Sequence, residues 1–255
     1  MAREMLQSRS RNKYELDIDA ATAAIANMNS SPSMVASDRL LAHHFPDIKT
    51  ALHSDTIAER VILVDALWGT RLFMENGASD RIARNLGEAS GRLVELLSGL
   101  SPDDLTGQPE RVSALAKEVL PVILVQEPGD PDKYRENYSF ATKFFHWCTR
   151  HHFPIVDRWA RKRINAWQVA LRVRPRVRSD TAAMQDLSYT REYERWINFY
   201  SDLIFGLGPD NRERLVKADY DSQPASYRVT NSSLRVLDKV FYWQGGGRGL
   251  GRVVE

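Results

Sequence analysis

Apolar positions recur along this chain at three- to five-residue steps, the spacing of helices with one buried face rather than the alternation of strands. From Thr56 the run Ile57, Val61, Val64, Leu67 and Leu72 follows that rule, and Thr56 with Glu59 reads as a capping box at its start. Further helices are predicted over about residues 80–97, 110–125 and 138–150. Pro154 and Asp157 then open a helix continuing to about Leu171. Tyr193, Trp196, Ile197, Tyr200, Leu203, Ile204 and Leu207 define another, which Gly208 and Pro209 stop. A last helix, capped by Asn231 or Ser232, covers Leu234 to about Trp243. No strand signal of useful length and no internal repeat interrupts this pattern, so the expected fold class is all-α.

Three stretches depart from it. Residues 1–13, MAREMLQSRSRNK, are polar and basic and are expected to be a disordered N-terminus, without the apolar segment of a signal peptide. RVRPRVRSD, residues 172–180, alternates Arg and Val around a proline, as an extended connector does. The final GGGRGLGRVVE, residues 245–255, reads as a flexible tail. The expected organisation is one helical domain over residues 14–244, or two lobes with a boundary near 172–180.

Composition narrows the setting. A hydrophobic content of 43% over 255 residues is enough for a sizeable core. No apolar run reaches membrane-spanning length, so a cytoplasmic protein with no membrane partner is expected. Cys148 is the single cysteine, which excludes an intramolecular disulfide and a multi-cysteine zinc site. His146, His151 and His152 lack the spacing of a metal-binding motif, and no metal site is expected. A formal net charge of +2 announces no nucleic-acid partner, so such a partner has to be argued from local charge.

The segment YSFATKFFHWCTRHHFPIVDRWARKRI, Tyr138 to Ile164, concentrates the chemistry. Lys143 lies on an apolar helix, a Phe-Pro-Ile turn follows, and Asp157 stands where the next helix begins. If those helices are antiparallel neighbours, a nucleophilic amine and a carboxylate project toward one cleft. Each residue also has an ordinary reading, Asp157 as an N-cap and Lys143 as a solvated surface lysine.

Ala141-Thr142-Lys143 with Pro154-Ile155-Val156-Asp157, and more broadly Ser139 to Lys143 with Phe153 to Asp157, resemble the helix-hairpin-helix DNA glycosylases, in particular the 8-oxoguanine glycosylase branch. That family places a catalytic lysine early in the second helix of its hairpin and a catalytic aspartate after a short apolar turn. Its glycine-rich hairpin turn corresponds here to Asn137-Tyr138-Ser139-Phe140. The resemblance implies a helix-hairpin-helix glycosylase-like bundle with Lys143 as nucleophile and Asp157 as catalytic carboxylate. It implies excision of a damaged or modified base from flipped-out DNA, AP-lyase strand nicking, and no cofactor. Trp68 and Thr70, and Tyr242 and Trp243 on the last helix, fall where the family's base pocket is built.

Local charge points the same way. Between Arg158 and Ser179 the basic residues Arg158, Arg161, Lys162, Arg163, Arg172, Arg174, Arg176 and Arg178 occur without an acidic one. Such a run beside Asp157 suits a DNA backbone, with Arg158, Arg161, Lys162 and Arg163 as the nearest contacts. Two other classes stay open: a non-catalytic DNA-binding or regulatory protein that senses modified DNA, and a protein-interaction module whose basic run meets an acidic partner.

Overall fold

The computed structural model describes residues 15–70, 72, 77–101, 103–123, 133–170 and 188–246. These are helical nearly throughout, and no strand occurs among them. The two segments expected to lack regular structure at the ends, residues 1–13 and most of 245–255, and the connector 172–180, lie outside the described residues.

Two helices precede the first one predicted. Helix α1, Ile18–Asn29, is capped by Asp17, whose Oδ1 accepts the Ala20 N–H at 2.9 Å. Helix α2, Pro32–His44, has proline in its first turn, where the missing N–H costs nothing. A single turn, α3 (Ile48–Ala51), and a 3-10 turn, Ser54–Thr56, lead into α4, Ile57–Trp68. The predicted capping box does not form. Thr56 belongs to the 3-10 turn, its hydroxyl donates to the His53 carbonyl, and it accepts from Arg60. Helix α4 also ends before the predicted Leu72, because Gly69 takes the left-handed conformation at φ 57° and its N–H returns to the Asp65 carbonyl.

Helix α5 is Ala78–Leu97, α6 is the short Asp104–Gly107, and α7 is Pro109–Ile123. Helix α8, Lys133–Cys148, starts five residues before the predicted Tyr138. Asn137 to Phe140 are therefore helical, and the equivalence drawn between them and a hairpin turn fails. Lys143 sits in the third turn of its helix, not the first. The apolar pattern begins at Tyr138 because the helix opens with the polar sequence Lys133-Tyr134-Arg135-Glu136. Helix α9, Arg158–Ala170, begins directly after Asp157 as expected. Helix α10, Ser188–Ser222, bends at Gly208 (φ 68°, ψ 170°), so the predicted stop is a kink after which the helix resumes. Helix α11, Ser233–Gln244, is capped by Ser232, whose Oγ accepts the Arg235 N–H.

Helix α8 lies at the centre. From Tyr138 to Thr149 every residue except the half-buried Ser139 is buried, the pattern of a helix surrounded on all sides. Helices α4 and α7 pack against α8; α10 packs on α1, α7 and α11; α9 and α1 pack on α11. The buried apolar residues from Ala21 to Phe241 form one continuous cluster, so elements before and after the undescribed 171–187 share a core. At the α9–α11 crossing a Cβ on Gly245 would fall 2.0 Å from the Trp159 carbonyl oxygen, so only glycine allows that approach. No described helix is long and apolar enough to cross a membrane.

Candidate active site

The turn between α8 and α9 is pinned from several sides. The Thr142 hydroxyl accepts the Val156 N–H at 3.1 Å, the Tyr193 hydroxyl donates to the Pro154 carbonyl at 2.8 Å, and the Trp196 indole donates to the Ile155 carbonyl at 2.8 Å. His146 Nδ1 lies 2.7 Å from the Phe153 carbonyl. A carbonyl only accepts, so Nδ1 carries the proton and the other ring nitrogen is bare. Arg150 and His151 take positive φ, 52° and 70°, to reverse the chain. This clamping returns Asp157 to the level of Lys143, one helical hairpin away.

Lys143 is no solvated lysine. It is 4% exposed, its Nζ lies 3.5 Å from Asp157 Oδ2, and the Trp68 carbonyl at the open end of α4 accepts from it at 3.5 Å. The Trp68 ring centroid is 5.4 Å from the same nitrogen. Asp157 does two things: Oδ1 accepts the Trp159 N–H at 2.7 Å, capping α9, while Oδ2 faces the amine. The cap reading and the pair reading of Asp157 thus hold together, each on its own oxygen.

The pair opens into a cavity of about 510 Å³. One wall is the end of α4, with Leu67, Trp68, Gly69 and Thr70; another is Met28, Met34 and Asp38 from α1 and α2; Arg235 and Tyr242 of α11 and Arg158, Trp159 and Arg161 of α9 complete it. The left-handed Gly69 and the buried Asp65 carboxylate, which accepts from the Thr70 hydroxyl and from the Leu72 N–H, fold the segment after α4 into this wall. A larger cavity, about 810 Å³, lies beside the 149–152 turn and contains neither Lys143 nor Asp157. The smaller one is taken as the site because it holds a buried amine and carboxylate in contact.

Of the expected pocket residues, Trp68, Thr70 and Tyr242 line the cavity. Trp243 does not: one residue further on, it is turned about 100° round the helix and packs against the core. Burial pushes the Tyr242 phenol up to about 12, with the charges of Asp157 and Asp238 adding to the effect.

The basic residues of α9 divide. Arg158 and Lys162 are exposed, with Arg158 4.5 Å and Lys162 5.8 Å from the Trp159 ring centroid, so both sit on the face that carries this half-buried indole at the cavity rim. Trp159 itself lies outside the core cluster. Arg161, also at the rim, pairs with Glu192 of α10 at 2.7 Å, and Arg163 donates to Gln244 of α11 at 2.9 Å. These two are engaged within the protein. Arg172, Arg174, Arg176 and Arg178 lie outside the described residues.

Sequence reasoning missed a buried ionic network behind the cavity. Arg235 donates to Asp38 Oδ1 at 2.6 Å and to Asp238 Oδ2, and its guanidinium is 4.7 Å from the Trp68 ring centroid. Lys239 reaches Asp38 at 2.9 Å and Asp219 at 2.8 Å, and Asn29, Gln223 and Asn231 also donate to the Asp219 carboxylate. Although burial alone would raise it, the two cations hold the Asp38 carboxyl below the usual carboxylate range. Asp238 goes the other way, pushed up by burial to about 7 against the pull of Arg235. No group of three or more His, Cys, Asp or Glu side chains is arranged to hold a metal among the described residues. No protein-family model, curated protein or solved structure matches this chain.

Proposed function

We propose that this protein is a DNA glycosylase that excises a damaged or modified base, with Lys143 as nucleophile and Asp157 as the carboxylate that stabilises the sugar cation. The observation that carries this reading is the buried contact of 3.5 Å between Lys143 Nζ and Asp157 Oδ2, open to a cavity of about 510 Å³. That volume falls within the roughly 300–1,000 Å³ of small-ligand sites. Trp68 and Tyr242 offer aromatic walls to a flipped nucleobase, and Arg158 and Lys162 offer charge to the backbone phosphates at the rim.

The chemistry uses each group once. The neutral amine of Lys143 attacks the sugar carbon that bears the base; the carbon–nitrogen glycosidic bond breaks, and its electron pair leaves with the base, which takes up a proton. That proton is the one the attacking amine gives up, passed to the base directly or by way of Asp157. Sugar ring opening then gives an imine between Lys143 and the sugar, the intermediate from which strand nicking proceeds. Through the oxocarbenium-like transition state, the Asp157 carboxylate faces the developing positive charge. With the Lys143 and Asp157 side chains only 5% and 12% exposed, the lower effective dielectric makes that stabilisation stronger than in water.

Release of free base from a panel of duplexes carrying oxidised purines, modified cytosines or uracil, resolved by chromatography, tests the reading. Excision from at least one damaged duplex and none from the unmodified control is expected. Duplex binding without release of any base would contradict it and favour the non-catalytic DNA-binding alternative.

A further inference from the structure

The cations that line the cavity of Lys143 and Asp157, among the described residues, are Lys143, Arg158, Arg161 and Arg235. Three of them already face carboxylates of the protein. Lys143 has Asp157 at 3.5 Å, Arg161 has Glu192 at 2.7 Å, and Arg235 has Asp38 at 2.6 Å and also Asp238. The exposed Arg158 has no hydrogen-bond or ion-pair partner among the described residues. The charge left free at the cavity mouth is therefore a guanidinium.

That guanidinium is not loose. Its central carbon lies 4.5 Å from the centroid of the Trp159 ring, within the range of a cation–π contact. Successive side chains on a helix diverge by about 100°, so Arg158 folds back over its neighbour to make this stack. The indole beneath it is fixed in turn. The Trp159 N–H is held by Asp157 Oδ1 at 2.7 Å, the Trp159 carbonyl abuts Gly245, and a Cβ on Gly246 would meet the Trp159 ring at 3.6 Å.

A guanidinium laid on an aromatic face keeps its N–H donors free in its own plane, and that planar fork matches two oxygens of one phosphate. Arg158 is also the first residue of α9, where the helix dipole favours an anion. Lys162 differs in one respect. It lies 5.8 Å from the same ring centroid but is not part of the cavity lining.

We propose that Arg158 and Trp159 form a phosphate clamp at the cavity mouth: the guanidinium grips the phosphate of the nucleotide whose sugar enters toward Lys143, and Trp159 is the positioning residue that holds it flat. Lys162 serves the flanking backbone only. This rests on the reading of the cavity as a site for a flipped nucleotide, and it separates two cations that charge alone would treat as equal.

Fluorescence anisotropy on two duplexes of one sequence, one unmodified and one carrying a tetrahydrofuran abasic-site analogue, tests the clamp without requiring excision or an imine. The wild-type protein should prefer the abasic duplex. Arg158→Ala should lower that preference about three- to tenfold, whereas Lys162→Ala should weaken both duplexes alike and leave the ratio unchanged. Trp159→Leu should lower the ratio as Arg158→Ala does, Trp159→Phe should retain most of it, and the Arg158→Ala/Trp159→Leu double variant should fall no further than Arg158→Ala alone. An unchanged ratio in Arg158→Ala, an exposed position, overturns the clamp whether or not the Trp159 variants fold. Equal affinity of the wild-type protein for the two duplexes overturns it as well, and so do additive losses in the double variant. Failure to bind either duplex would remove the DNA reading itself, while a clamp seen without release of any base would leave this proposal standing and remove the excision step.

Discussion

Asp157 holds Lys143 Nζ at 3.5 Å with one oxygen while its other oxygen, 2.7 Å from the Trp159 N–H, starts helix α9. Lys143's partner is thereby held by the same bond that starts the helix carrying Arg158 and Lys162.

Replacing Asp157 by Asn separates the two duties. Asparagine caps helices about as well as aspartate, so α9 should keep its start, but the buried Lys143 loses its carboxylate partner, which should lower thermal stability and, in the proposed reaction, remove the charge opposite the sugar cation. The excision rate should fall at least about 100-fold with duplex affinity retained. Single-turnover base release beside a melting curve checks both, and near-normal excision by the Asn variant would reduce Asp157 to a cap.

Arg158 and Lys162 stand one turn apart on the exposed face of α9, with Trp159 between them, whereas Arg161 and Arg163 are tied to Glu192 and Gln244. The Arg158→Ala/Lys162→Ala double variant should therefore weaken binding to every duplex and reduce the slope of log affinity against log salt by about two units, one per phosphate contact. Arg163→Ala should do less. Fluorescence anisotropy between low and physiological salt measures it; an unchanged slope in the double variant would remove this face from DNA binding.

The sequence carried the Lys143–Asp157 pair because it is a local arrangement: one helix, one short turn and one cap place both groups. It did not carry the depth at which they lie. Lys143 reads as a surface residue in composition and is buried because α8 is enclosed on all sides. The network of Arg235, Asp38 and Asp238 was illegible for a different reason. Arg235 and Asp38 are 197 residues apart, and in the string LRVLDKVFYW the charges read as the wet face of an amphipathic helix. Their spacing, Arg235, Asp238, Lys239 and Tyr242, is that of a single face, but nothing local says that face is buried. The start of α8 at Lys133 was missed because its first residues carry no apolar pattern, and the Thr56 box failed because a 3-10 turn claimed its hydroxyl.

Removing Arg235 should show what that network holds. Arg235→Met leaves Asp38 and Asp238 without their guanidinium in the interior and should destabilise the fold by about 3–5 kcal/mol. Adding Asp238→Asn to it should recover part of the loss, because one of the stranded carboxylates is gone. Urea unfolding of the single and double variants tests this, and additive losses would contradict the coupling.

His146 sets an acid limit. Burial, with the Arg235 charge assisting, lowers its titration from 6.5 to about 3, so below about pH 6.5 the unfolded chain binds a proton that the folded protein refuses. Its contribution is absent above pH 6.5 and costs stability progressively as pH falls from there toward 3. His146→Asn keeps a donor toward the Phe153 carbonyl and cannot titrate. The wild-type protein should lose stability relative to this variant between pH 6.5 and 4 in urea titrations, and a constant difference across that range would show that His146 protonates in the folded state.

The proposed chemistry joins the Lys143 amine covalently to the sugar. Borohydride trapping with duplexes carrying an abasic site or an excisable lesion, followed by peptide mass spectrometry, examines that bond itself, with Lys143→Gln alongside. A protein–DNA adduct mapped to Lys143 and lost in the Gln variant is expected. Base release by the wild-type protein with no adduct, or an adduct undiminished in Lys143→Gln, would contradict it.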